Sequence, residues 1–168
     1  MTTPQFKQLR RSYSFDEVAI VPGDVTINPD QTNIDFKVED TIFSIPIIAS
    51  AMDAVTDVNF AVLMSKMGGL AGLHLEGVQT RYDNPREVLA EIAQAPAAEV
   101  TALLQRIYSQ PIKDNLIGDL VQAIKKSGGS CAVSLTPANT KRCAPIAAEA
   151  GADILMVQST VTTARHIS

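Results

Sequence analysis

Tryptophan is absent, and Phe and Tyr bring the aromatic share to only 5%. Stacking platforms for single-stranded nucleic acid are built from such rings, so that class is disfavoured. A basic surplus is also missing. Lys and Arg number 14 against 18 Asp and Glu, a formal net charge of −4, which leaves no positive field to neutralise a polynucleotide backbone. Cys131 and Cys143 are the only cysteines. Lacking a CxxC spacing, they make neither a disulfide framework nor a zinc knuckle and read as reduced thiols. No apolar run approaches the roughly 18 residues of a membrane span. The longest, Ile42 to Met52, is broken by Ser44, Pro46 and Ser50. The N-terminus, Met1 to Lys7, has no apolar stretch of a secretory signal. A cytoplasmic protein that binds neither membrane nor nucleic acid is the expectation. Phosphate-cradling glycine loops are missing as well. Gly68-Gly69-Leu70-Ala71-Gly72 lacks the GxGxxG form, and no HExxH, EF-hand or P-loop occurs.

What is present is a globular composition, 46% hydrophobic and 19% charged over 168 residues, enough for one domain with a real core. Residues 1–44 look irregular, with turn signals at Pro22-Gly23 and Asn28-Pro29-Asp30. Apolar, β-branched runs then predict four strands: Ile45 to Ser50, Leu70 to Leu75, Cys131 to Leu135, and Ile154 to Val157. Helical patterns lie between them. Thr56 is placed to cap a helix over Asp57 to Met67, with Phe60, Leu63, Met64 and Met67 on one face. Asn84-Pro85 opens a helical insertion over about 84–127, whose first helix would bury Val88, Leu89 and Ile92. Thr136-Pro137 caps the last helix, which Gly151 closes. Strands alternating with helices predict a parallel α/β sheet, with no second domain in the long interval between strands two and three.

In such sheets chemistry collects at the carboxyl ends of the strands. Those ends read Ser50-Ala51-Met52-Asp53, His74-Leu75-Glu76, Ser134, and Gln158-Ser159-Thr160. They offer hydrogen-bonding groups for a small polar ligand and no strong nucleophile with an evident base. Plainer roles stand beside these. Asp53 can cap or bind backbone amides, His74 can be a packed histidine, Met52 can belong to the core, and Gln158-Ser159 can simply turn the chain. Arg81-Tyr82-Asp83 reads equally as a solvated loop, and His166 as a solvated side chain.

Four blocks, in order along the chain, carry a sharper signal. Ser14-Phe15-Asp16-Glu17-Val18-Ala19-Ile20-Val21-Pro22-Gly23 resembles the leading segment of the IMP dehydrogenase/GMP reductase family. Residues 45–56, with Ser50-Ala51-Met52-Asp53, resemble its first barrel strand and loop. Gly68 to His74 is similar to its second strand, and Ala150 to Ser159 to the region of its fourth. The resemblance implies an α/β fold that is the N-terminal half, strands 1 to 4, of a (β/α)8 TIM barrel. A complete barrel typically needs about 250 residues. Residues 77–130 are too few for the paired regulatory CBS domains of some members, so the chain looks closest to the CBS-less IMP dehydrogenase-related group. GMP reductases lack the pair too, which leaves the reaction direction open.

By that resemblance the intact parent oxidises IMP to XMP with NAD, in preference to NADP, through a cysteine on a loop after the sixth strand. Neither Cys131 nor Cys143 has that context, so no catalytic residue is expected here and the 168-residue piece alone is expected to be inactive. Ser50 and Met52 match positions that line the nucleotide pocket. Gln158 stands where dehydrogenases of the family usually place an aspartate on the nicotinamide ribose, and Ser159 would contact the dinucleotide. The resemblance also implies a homo-oligomer, a tetramer or octamer in the intact enzyme, and leaves room for a monovalent cation. The alternatives are a GMP reductase-type enzyme using NADPH and a non-catalytic half-barrel that acts by association.

Overall fold

The computed structural model describes residues 11–158. The chain divides into two compact units, Met1–Asn33 and Ile34–Ser168. In the described part of the first, single 3₁₀ turns form at Phe15–Glu17 and Pro29–Gln31. Each is closed by its own third residue, whose side chain reaches back to a free amide at the turn's start: Glu17 accepts from the Ser14 N–H at 2.9 Å and Gln31 from the Asn28 N–H at 3.3 Å.

The second unit begins with an antiparallel pair, β1 (Phe36–Val38) and β2 (Thr41–Phe43), in which Val38 faces Thr41. This corrects the expectation that residues 1–44 are irregular throughout. The turn uses Glu39 at φ 52, a left-handed conformation for which the usual sequence signal is Asn or Gly. Glutamate there gives no such signal.

Four strands follow: β3 (Ile48–Ala49), β4 (Leu70–His74), β5 (Ala132–Leu135) and β6 (Ile154–Val157). They form one parallel sheet in the order β3-β4-β5-β6. Registers run Ile48 to Leu70, His74 to Ser134 and Ser134 to Met156. Helices α1 (Val58–Lys66), α2 (Pro85–Gln94), α3 (Val100–Tyr108), α4 (Asp114–Lys126) and α5 (Pro137–Glu149) fill the connections. The parallel strands and the helical excursion between β4 and β5 match the sequence reading. None of the described helices is long and apolar enough to cross a membrane.

Side-chain alternation divides the sheet. Leu73, Leu75, Cys131, Val133 and Leu135 point to the helices and join Ile117, Val121 and Ile124 of α4 and Ala147 of α5 in the main core. Leu70 and Ala132 point the other way and meet Phe43 of the hairpin in a smaller cluster flanked by Val38, Ile154 and Met156. The helix stop at Gly68 illustrates how tightly the turns are specified. Gly68 has φ 88, and a Cβ there would lie 1.9 Å from the Ser44 hydroxyl, so both backbone and space demand glycine.

Two local expectations change. Thr56 is not the cap of α1. Asp57 is, its carboxylate accepting from the Phe60 N–H at 2.8 Å. Along α2, none of the apolar residues is fully buried. Leu89, Ile92 and Ala93 instead wall an open groove whose other side is Asp53 to Val55 and Asp57.

Candidate functional site

Because Ile48 pairs with Leu70, and Leu70 shares its side of the sheet with Ala132, alternation carries Ser50, His74, Ser134 and Gln158 to the same face, opposite the helices, at the carboxyl ends. The sequence assembles a polar row there from four separate stretches. Ser50 is exposed just beyond β3, Met52 is 53% exposed two residues later, and Gln158 is exposed beyond β6 with its backbone N–H on the Leu135 carbonyl at 2.8 Å. Ser159 and His166 lie outside the described residues. Ser134 is fully buried and its hydroxyl has no hydrogen-bond partner.

The loop after β3 is built as a rigid turn. The Met52 carbonyl accepts from the N–H groups of Val55 and Thr56, each at 2.9 Å. The Thr56 hydroxyl, free of the capping role, donates back to the Ser50 carbonyl at 2.9 Å. Buried Gln79 donates to the Thr56 carbonyl at 2.7 Å. Asp53, for which capping and amide binding were both open, binds one backbone amide and one hydroxyl across the site. It accepts from the Val78 N–H at 2.9 Å and from the Tyr108 hydroxyl at 2.7 Å. Burial, and then the Asp53 carboxylate, push the Tyr108 hydroxyl upward in pKa, so it stays a donor.

Glu76, at the end of β4, reaches the start of α5. Its carboxylate accepts from the Thr136 N–H at 2.5 Å, the Thr136 hydroxyl at 2.7 Å and the Asn139 amide at 2.9 Å. Burial alone would push this carboxyl up. The bonds from Thr136 and Asn139, with His74 nearby, outweigh it and hold Glu76 below its ordinary value. Thr136 therefore serves Glu76 rather than capping α5 by its side chain. Tyr108, Thr136 and Asn139 escaped the sequence reading because they meet their partners across 55, 60 and 63 residues.

Both thiols are buried. Burial, with Asp153 beside it, pushes Cys131 up to about 12 despite Lys125, and burial likewise raises Cys143. Neither is a thiolate near neutrality, so neither is built as a nucleophile. Among the described residues no cluster of three His, Cys, Asp or Glu side chains could hold a metal ion.

Comparison with known proteins identifies the chain's family. The IMP dehydrogenase / GMP reductase domain model matches residues 12–167. An uncharacterized oxidoreductase of Mycolicibacterium smegmatis is 30% identical over 164 residues, covering 95% of this chain and 44% of the relative. The inosine-5'-monophosphate dehydrogenase of Methanocaldococcus jannaschii is 31% identical over 118 residues, 70% of this chain and 22% of that protein. Among solved structures, an IMP dehydrogenase/GMP reductase-like protein from Corynebacterium glutamicum superimposes with a TM-score of 0.84 at 28% identity, over 95% of this chain and 44% of that one. The chain thus spans less than half the length of these relatives. It belongs to the IMP dehydrogenase/GMP reductase family.

Proposed function

We propose that this chain is the nucleotide-facing first half of a (β/α)8 barrel in an IMP dehydrogenase-type oxidoreductase, which as an intact enzyme oxidises IMP to XMP with NAD. The observation that carries the reading is the Ser50–Met52 loop. It stands exposed at the carboxyl end of the sheet, yet its backbone is pinned by Thr56 and Gln79, the pre-organisation a ligand-binding loop requires.

In this reading Ser50 donates its hydroxyl to the nucleotide and Met52 packs beside it. Gln158 faces the dinucleotide from the end of β6. Its carboxamide offers one acceptor and two donors, which suits a ribose diol, but no charge, so it holds the diol more weakly than a carboxylate would. When bound, NAD supplies the hydride acceptor. The covalent cysteine step belongs to the rest of the protein, in keeping with two buried thiols of raised pKa.

Titrating the purified chain with IMP and with GMP, and assaying each with NAD and NADPH, tests the reading. IMP is expected to bind, in preference to GMP, with no NADH formed. Failure to bind either nucleotide would leave a half-barrel that acts by association. Binding of GMP in preference to IMP would turn the reading to GMP reduction with NADPH. Steady NADH formation from IMP would show that the chemistry does not need the missing half.

A further inference from the structure

Midway through the helical excursion between β4 and β5 lies a contact whose role the nucleotide reading does not explain. Tyr108 is the last residue of α3, and its hydroxyl meets the Asp53 carboxylate at 2.7 Å. The same carboxylate oxygen also accepts from the Val78 N–H. The second oxygen is buried with no partner and lies where a side chain on Gly77 would begin: a Cβ there would sit 2.0 Å from it. The 77–78 backbone therefore admits Asp53 only because residue 77 has no side chain.

The end of α3 is fixed in its turn. Tyr82 donates to the Ile107 carbonyl at 3.2 Å, Arg81 bonds the Gln110 carbonyl, and the Arg81 guanidinium lies 5.9 Å from the centre of the Tyr108 ring. Asp53 adjoins Met52 and lies inside the turn that the Met52 carbonyl closes. A buried carboxylate oxygen without a partner is destabilising. A side chain needed only to satisfy the Val78 amide would not have to carry it.

We propose that Tyr108 and Asp53 are positioning residues, a latch that fixes the Ser50–Met52 loop in its nucleotide-binding form and makes that form depend on the end of α3. The inference rests on the nucleotide-facing role proposed above. Neither residue touches the nucleotide in it. They act through Met52 and Ser50.

Carbon-13 labelling of the methionine ε-methyl groups in the full 168-residue chain tests the latch, with Met52→Leu identifying the resonance. Tyr108→Phe, which removes only the hydroxyl, is expected to shift and broaden the Met52 signal while that of Met64, on α1, stays put. It should also weaken IMP binding about tenfold. Asp53→Asn should move both readouts in the same direction. Ser109→Ala is the control. It removes the hydroxyl on the Arg106 carbonyl, one residue from Tyr108, and should leave Met52 and IMP binding at wild type.

A Met52 signal in Tyr108→Phe identical to wild type overturns the latch, as does unchanged IMP affinity where the signal moves. An equal effect from Ser109→Ala overturns it too, since that would be general loosening of α3. A wild-type chain that takes up no IMP defeats the nucleotide reading instead, and the Met52 signal then decides the latch by itself.

Discussion

The two faces of the four-stranded sheet use the same strands for different ends. Toward the helices, Leu73, Leu75, Val133 and Leu135 are large, aliphatic and at most 1% exposed. On the opposite face, toward the carboxyl ends, the residues are Gly72, His74, Ser134 and Met156. These are small, polar or pliable, and Ser134 keeps a buried hydroxyl without a partner. Period-2 alternation makes this division possible within strands of two to five residues. One face carries the main hydrophobic core, and the smaller cluster around Phe43 and Leu70 lies on the other. That second face tolerates at its carboxyl end a polar group that a core would exclude, Ser134.

The sharpest way to break that comparison is to weaken the helix-facing side. Leu73→Ala should destabilise the chain by about 2–5 kcal/mol, read from urea unfolding, because a fully packed leucine leaves a cavity. A loss below about 1 kcal/mol would mean the core is not where the burial places it.

At the join between the faces, Glu76→Ala should destabilise by about 1–3 kcal/mol near neutral pH, since the Thr136 and Asn139 donors lose their acceptor. The pH dependence carries the sign. The Glu76 carboxyl is held below 4.5 in the fold, so its contribution is fully present above that value and is lost as pH falls through the folded one. Melting curves of Glu76→Gln should therefore decline less steeply than wild type on the acid side, and parallel curves would sink the account.

Ser134→Ala tests the other face in the opposite direction. Removing an unpartnered buried hydroxyl should be neutral or stabilising by up to about 1 kcal/mol. A clear destabilisation would show that the hydroxyl has a role the geometry does not display. The smallest effect on stability is expected at the sheet's edge. Val157, 52% exposed on β6, should tolerate lysine within about 0.5 kcal/mol. Exposed edge strands invite pairing, so sedimentation should show the wild-type chain self-associating and Val157→Lys shifted toward monomer.

Much of this architecture was legible from local pattern. The four apolar runs became β3 to β6, Gly68 and Gly151 ended their helices, and Pro85 and Pro137 opened theirs, because each signal acts within a few residues of itself. The β1–β2 hairpin was not legible, since its turn rests on Glu39 rather than a residue that favours the left-handed region. Thr56 was misread as the cap of α1 for a related reason, and Thr136, which does stand at the N-cap of α5, turns its side chain elsewhere. A hydroxyl next to a helix start has an obvious local acceptor role, and only the fold shows that Ser50 and Glu76 claim them instead. For the site, the strand ends could be named but not their connections. Asp53 finds Tyr108, and Glu76 finds Asn139, across distances in sequence that no periodicity encodes.

The sheet's registers also set an order of assembly. Gly72 pairs with Ala132, so during synthesis β4 waits for β5 while the intervening chain emerges, several seconds at about 5–20 residues per second. Through that interval its one strand partner among the described residues is the two-residue β3, and a two-stranded pairing is marginal by itself. The bonds from Val78 and Gln79 to the loop after β3 need nothing beyond residue 79. They are available before β5 exists, and they give the growing chain a local fastening that holds β3 and β4 in register until the third strand arrives.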